Sequence, residues 1–146
     1  MLVVVGGSKH YNKVSGKRDC LNDVLIYNPP SSQWTELQCS GAMFEQRRHH
    51  VACVVGLHLI VHGGISIFGN YLRGLMGLML GKATQGDWKQ KNYKWFEVKI
   101  QGVKPKKLAY HTMQLVLQYE RYRGLFPIDL FSLPEIRALS SRVLIH

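Results

Sequence analysis

The sequence predicts an all-β protein assembled from repeated antiparallel strand units, and three observations lead there. Short apolar runs of strand length (VLIY at 24–27, WTEL at 34–37, VACVV at 51–55, LHLIVH at 57–62) alternate with Pro-Pro, Gly and polar turn signals. A pattern then recurs: Trp34, Gly41 and His50 reappear as Trp95, Gly102 and His111, each 61 residues later. The apolar register travels with it, since Leu37 maps onto Val98 and Val54-Val55 onto Leu115-Val116. Self-similarity at a fixed period is the mark of a repeat architecture. The four runs between Asn22 and Gly64 are expected to form one antiparallel sheet.

In chain order, Met1-Leu2-Val3-Val4-Val5 reads as a strand that runs straight into Gly6-Gly7. It lacks the basic region and the longer apolar stretch of a secretory signal. A chain that opens inside a strand is expected of a piece of a longer product. Residues 8–21 (SKHYNKVSGKRDCL) read as a polar loop with a Ser-Gly flex point and four cations, Lys9, Lys13, Lys17 and Arg18. After the strand at 24–27, Asn28-Pro29-Pro30-Ser31-Ser32 makes a turn whose prolines cannot join a sheet ladder. Trp34-Thr35-Glu36-Leu37 alternates apolar and polar residues, as a half-buried outer strand does.

The run at 51–68 has the length of a membrane span, but two His and three Gly interrupt it. Two back-to-back strands turning at Gly56 explain the same residues, so no membrane span is expected. Residues 70–80 (NYLRGLMGLML) stand in the place of a third strand. A long connection follows, with Lys82, Lys89, Lys91 and Lys94 interleaved with Trp88 and Tyr93. A third copy begins at His111, then degrades through QYERYR at 118–123. A further third strand is expected at 125–136.

These residues resemble the kelch repeat, whose pattern is N-D-apolar-x-apolar-Y-D, then W, then P-x-x-R-x-x-H, then a strand pair ending in G-G. The first copy reads Asn22-Asp23, Tyr27-Asn28, Trp34, Arg47, His50, Gly63-Gly64; the second reads Asn70, Trp95, Pro105, His111. Gly6-Gly7 resembles the end of an earlier strand pair. Phe44 stands where the proline is usual, Asn28 where the aspartate is, and Leu108 where the arginine is. The resemblance covers residues 2–117 and implies a partial kelch-type β-propeller of four-stranded antiparallel blades, not long enough to close. It places residues 1–50 at the end of one blade and the start of the next, 51–110 in a central blade with a Lys-rich insertion, and 111–146 in the degenerate start of another. Gly6, Gly7, Trp34, His50, Gly63, Gly64, Trp95 and His111 are its repeat-structural residues. Trp34 and Trp95 are expected as equivalent core residues between blades, and His50 as a backbone-bonding one.

Chemistry is constrained by what the composition supplies. Cys20, Cys39 and Cys53 cannot form a complete disulfide set and lack close metal-ligand spacing, which points to a reducing compartment and a cytoplasmic location. His49, His50, His58 and His62 could be imagined around zinc, but the recurrence of His50 as His111 without companions favours a structural role. The Gly pairs follow strands with no P-loop helix behind them, and no catalytic constellation is found. The expectation is therefore a non-catalytic scaffold with no cofactor and no metal. Its partners are other proteins, and it is completed by missing blades or a larger assembly.

Nineteen Lys and Arg against nine Asp and Glu give a net charge of +10, which favours acidic partners. In a blade of this kind the loops at 8–22, 38–48 and 102–109 leave by one side. Arg47, Arg48, Lys104, Lys106, Lys107, Lys17 and Arg18 are the expected partner-binding residues. The alternative is a nucleic-acid or ribonucleoprotein-associated module that uses the Lys-rich segment from Lys82 to Lys107.

Overall fold

A computed structural model describes residues 1–14, 16–81, 93–100, 103, 105–117 and 141–145. The first sheet starts with β1 (Leu2–Asn12) and β2 (Lys17–Asn28), an antiparallel hairpin with β3 (Gln33–Glu36) on the far side of β2. The turn between β2 and β3 is a short 3-10 segment, Pro29–Ser31, closed by Ser32 in the left-handed region. The stretch at 8–21 is not the loop expected of it. It is the outer half of the hairpin, where Ser8 faces Cys20 and Tyr11 faces Arg18 across register shifts. Main-chain ladder bonds need no apolar side chains, so pairing set by Leu2↔Tyr27 and its neighbours continues outward to a turn at Gly16.

The second sheet holds a complete blade of β6 (Val51–Val55), β7 (His58–His62), β9 (Leu75–Met79) and β10 (Tyr93–Glu97), antiparallel throughout. One more strand, β4 (Cys39–Gly41), lies parallel to β10 at its outer edge. The four runs between 22 and 64 thus divide between two sheets, and the single sheet expected from them is corrected. The connection at 37–50 carries the chain from one sheet to the next. It gives β4 to the second sheet and β5 (Arg47–Arg48) to the first, where β5 pairs with β2 and with β8 (Ile65–Ser66). A third pair, β11 (Met113–Leu117) with β12 (Ser141–Ile145), begins the next unit. The described strands do not close into a ring, and the fold is that of a partial kelch-type propeller. The strand expected at 125–136 lies outside the described residues.

Burial follows the two-sided role of the central blade. All five residues of β7 are buried, as in a strand covered on both faces. Leu59, Val61, Met76, Leu78 and Trp95 pack with Val24 and Ile26 of the first sheet. On the opposite face Val55, Ile60, Leu75 and Val98 form a second cluster that reaches Met113 of β11. Within the blade, the Gly77 position is where Phe96 lies, and a Cβ there would meet its ring at 2.6 and 2.9 Å. The repeat is visible in hydrogen bonds as well. Leu37 donates its N–H to Val24 O and Val98, 61 residues on, donates to Leu75 O, both at 2.9 Å. The run at 51–68 is spent on β6, β7 and β8, and no helix among the described residues is long and apolar enough to cross a membrane.

Candidate functional site

The connection between blades carries most of the residues singled out in the sequence, beginning with Arg47. Its side chain is buried, at 4% exposure. Nε donates to Glu45 O at 3.0 Å, Nη1 donates to Gly63 O at 3.1 Å, and the guanidinium lies 4.5 Å from the Phe44 ring centroid. Phe44 in turn stacks on Trp95 with centroids 4.0 Å apart and planes 2° from parallel. Burial pushes the Arg47 pKa down to about 10, against a raising effect from Glu45. An Arg–Phe–Trp stack inside the fold holds the connection against β10. Arg47 is therefore removed from the partner-binding set: a guanidinium with no surface to offer cannot meet a partner.

Trp95 is 5% exposed, as expected, whereas Trp34 is 53% exposed and touches Tyr27 at 5.0 Å. The expected equivalence of the two as core residues is corrected. Trp95 is covered by the connection that precedes its own blade, through Phe44.

The histidines pair with the Gly doublets. Gly6 has φ +55, and a Cβ on it would lie 3.0 Å from Leu21 O, 3.1 Å from Arg47 O and 3.2 Å from His50 Cε1. One repeat on, Gly63 has φ +66 against Leu108 O and, at 2.8 Å, His111 Cε1. Leu108 thus keeps the main-chain part of the Arg47 position while lacking its side chain. Burial and then Arg47 lower the His50 pKa, against a raising effect of the Val5 backbone. His111 places Nε2 3.0 Å from Nδ1 of His62, and which ring donates depends on tautomer. Burial, then His111 and Arg47, hold the His62 pKa at about 4, and burial lowers His111 as well. The residues just before, His49 and Tyr110, share left-handed φ values of 56 and 58° and stack on each other at 4.0 Å. Sequence reasoning missed that pair because the side chains differ, although their 61-residue offset was available. Among the described residues no three His, Cys, Asp or Glu side chains come together as a metal site.

The remaining cations are placed as follows. Arg18 is exposed on the hairpin and Arg48 is half-buried, with Nη1 3.5 Å from Cys20 Sγ. Lys106 and Lys107 are exposed on the next connection, which is anchored by Gly64 N–H to Leu108 O (2.8 Å) and by Arg73 Nε to Pro105 O (2.9 Å). Lys104 and the Lys17 side chain lie outside the described residues, as do Lys82, Trp88, Lys89 and Lys91. Tyr93, expected as a stacking face for bases, is 2% exposed in the core and is withdrawn from that role. A cleft of about 410 Å3 gathers Lys9 and Arg18 from the hairpin, Gln46 from the connection, and Ile67 and Phe68 from the turn after β8, with Asp19 also lining it.

The KLHDC2/KLHL20/DRC7 Kelch-repeats domain family model matches residues 1–120. A tRNA wybutosine-synthesizing protein 2/3/4 of Oryza sativa subsp. japonica is 34% identical over 65 residues, 44% of this chain and 6% of that protein. The serine/threonine-protein phosphatase BSL2 of Arabidopsis thaliana is 33% identical over 96 residues, 66% of this chain and 9% of that protein. The chain therefore spans less than a tenth of the length of these curated relatives.

Proposed function

We propose, from the premise that this chain belongs to the kelch-repeat family, that it is a non-catalytic interaction scaffold whose connections bind acidic protein segments. A kelch-repeat domain is in general a platform for protein partners. The observation that carries the finer reading is the convergence of separate connections. Lys9 and Arg18 reach one cleft together with Gln46 and Phe68, which come from two other parts of the chain. Exposed cations on a rigid sheet scaffold steer an acidic partner and set its association rate more than its final affinity. Lys106 and Lys107, exposed on the equivalent connection one repeat later, extend the same charge. The phosphatase named among the relatives is a far longer protein, so its activity is no guide to that of these residues.

The test is binding of the full chain to immobilised polyglutamate and, separately, to duplex DNA of matched charge. Reversal of Arg18, Lys106 and Lys107 to Glu is expected to slow association with polyglutamate by roughly tenfold or more at low salt. Unchanged association in that variant, or tighter salt-dependent retention on the DNA, would defeat the reading in favour of the nucleic-acid alternative.

A further inference from the structure

A second groove, of about 710 Å3, lies between the β2–β3 side of the first sheet and β4 and β10 of the second. The buried rings of Phe44 and Trp95 line it, and so do Met43 and Phe68, which are 89% and 74% exposed. Two large apolar side chains held in water beside an apolar groove are placed for a partner, since this chain's own core does not use them.

The charge of the groove is opposite to that of the chain. Its charged lining residues are Asp23, Glu36 and Glu45, and no Lys or Arg lines it. The whole sequence carries 19 basic and 9 acidic residues, so this is a local reversal of sign. Arg47 offsets Glu45 from the interior, which leaves Asp23 and Glu36 as the groove's free negative field. Phosphates would be repelled here.

The groove also exposes main chain. β4 pairs with β10 on one side and, among the described residues, with no strand on the other, and Cys39, Ser40 and Gly41 are all exposed. A strand edge of this kind is a template for an extended segment, with affinity from main-chain bonds and selectivity from side-chain pockets.

We propose that this groove holds an extended segment of a partner protein that alternates basic and apolar residues. Its apolar side chains rest against Met43 and Phe68, its Lys or Arg side chains face Asp23 and Glu36, and its main chain adds to the free edge of β4. The inference rests on the scaffold reading and shares Phe68 with the cation cleft, but it uses none of the cations assigned to the acidic partner.

A fluorescein-labelled alternating Lys-Leu peptide, titrated against the full chain by fluorescence anisotropy, tests it. The peptide is expected to bind despite the like net charge of the protein, an alternating Lys-Ser peptide to bind at least about tenfold more weakly, and an alternating Glu-Leu peptide not to compete. Phe68→Ala should weaken the Lys-Leu peptide about tenfold, and Asp23→Asn with Glu36→Gln about fivefold. Phe68 and Glu36 are exposed, so the fold does not depend on them. Equal affinity in both variants, or preference for the Glu-Leu peptide, would overturn the proposal. The Arg18, Lys106 and Lys107 reversal separates the two readings: it should slow polyglutamate association about tenfold and leave the Lys-Leu peptide bound. Loss of the Lys-Leu peptide in that variant would place its contact outside the groove and also overturn the proposal.

Discussion

Trp34 and Trp95 occupy the same register of the repeat yet differ in what removing them should do. Trp95→Ala is expected to cost about 3–5 kcal/mol, because a large buried aromatic leaves a cavity and strips Phe44 of its stacking partner. Trp34→Ala should cost about 1 kcal/mol or less, since the side chain is already 53% exposed and its ring contact is with Tyr27. Urea unfolding of both variants measures the difference, and similar losses would show that Trp34 is covered in solution. His62 makes a prediction of a different kind. Its pKa of about 4 in the fold, against an ordinary 6.5, means the unfolded chain binds the extra proton between those values. Stability is then full above pH 6.5 and falls as the pH drops towards 4, by roughly 2–3 kcal/mol from this residue. Val5 holds the corresponding place in the first unit, against Gly6-Gly7. His62→Val should accordingly flatten the urea midpoint against pH over that window. An unchanged slope would move the acid sensitivity to His50 and His111, whose pKa values are also lowered by burial.

At the level of elements, the joint between consecutive units depends on glycine where a carbonyl and an imidazole close over the chain. Gly63→Ala combines a φ of +66 with contacts to Leu108 O and His111, and it strains the Gly64 N–H bond to Leu108 O. A loss of about 2–4 kcal/mol is expected. Gly69 offers the comparison: φ is +82 but no atom lies within 4 Å of the added Cβ. Gly69→Ala should cost only about 1–2 kcal/mol, the intrinsic cost of a left-handed backbone. Thermal melts of the pair would show whether the joint or the backbone conformation dominates, and equal shifts would exclude the joint. The strands themselves were legible in the sequence wherever an apolar run met a turn signal, as in β6 and β7 about Gly56. The hairpin half at 8–21 was not, because its pairing comes from a ladder begun elsewhere and most of its residues are polar.

For the whole molecule, the arrangement of sheets leaves strand edges without partners among the described residues. β1 pairs only with β2, and Leu2 and Val4 on it are 53% and 39% exposed; β3 and β4 end their sheets on the other side. Open edges with apolar side chains favour edge pairing between chains. The 146-residue polypeptide is expected to self-associate, with a mass by light scattering after size exclusion that rises with concentration. A constant monomer mass with one cooperative unfolding transition would show that these edges are protected.

Period and residue type alone determined the all-β class, the 61-residue repeat, the family and the pairing of recurring positions such as His50 with His111. Those are properties of intervals along the chain, and a hydrophobic pattern with its turn residues records them directly. Which side each residue faces was decided only by the assembled sheets. Arg47 reads as a surface cation and is buried because the Gly63 carbonyl receives it from another strand and Trp95 backs the Phe44 ring on which it lies. Trp34 reads as core and is 53% exposed, because its ring meets Tyr27 alongside it and is not enclosed from a second sheet as Trp95 is by Phe44. Asp23, Glu36 and Glu45 are scattered through a basic sequence, and only packing of one sheet beside the next gathers them along one groove. Burial and charge surroundings depend on neighbours brought in by long-range pairing, and no local pattern in the sequence encodes those neighbours.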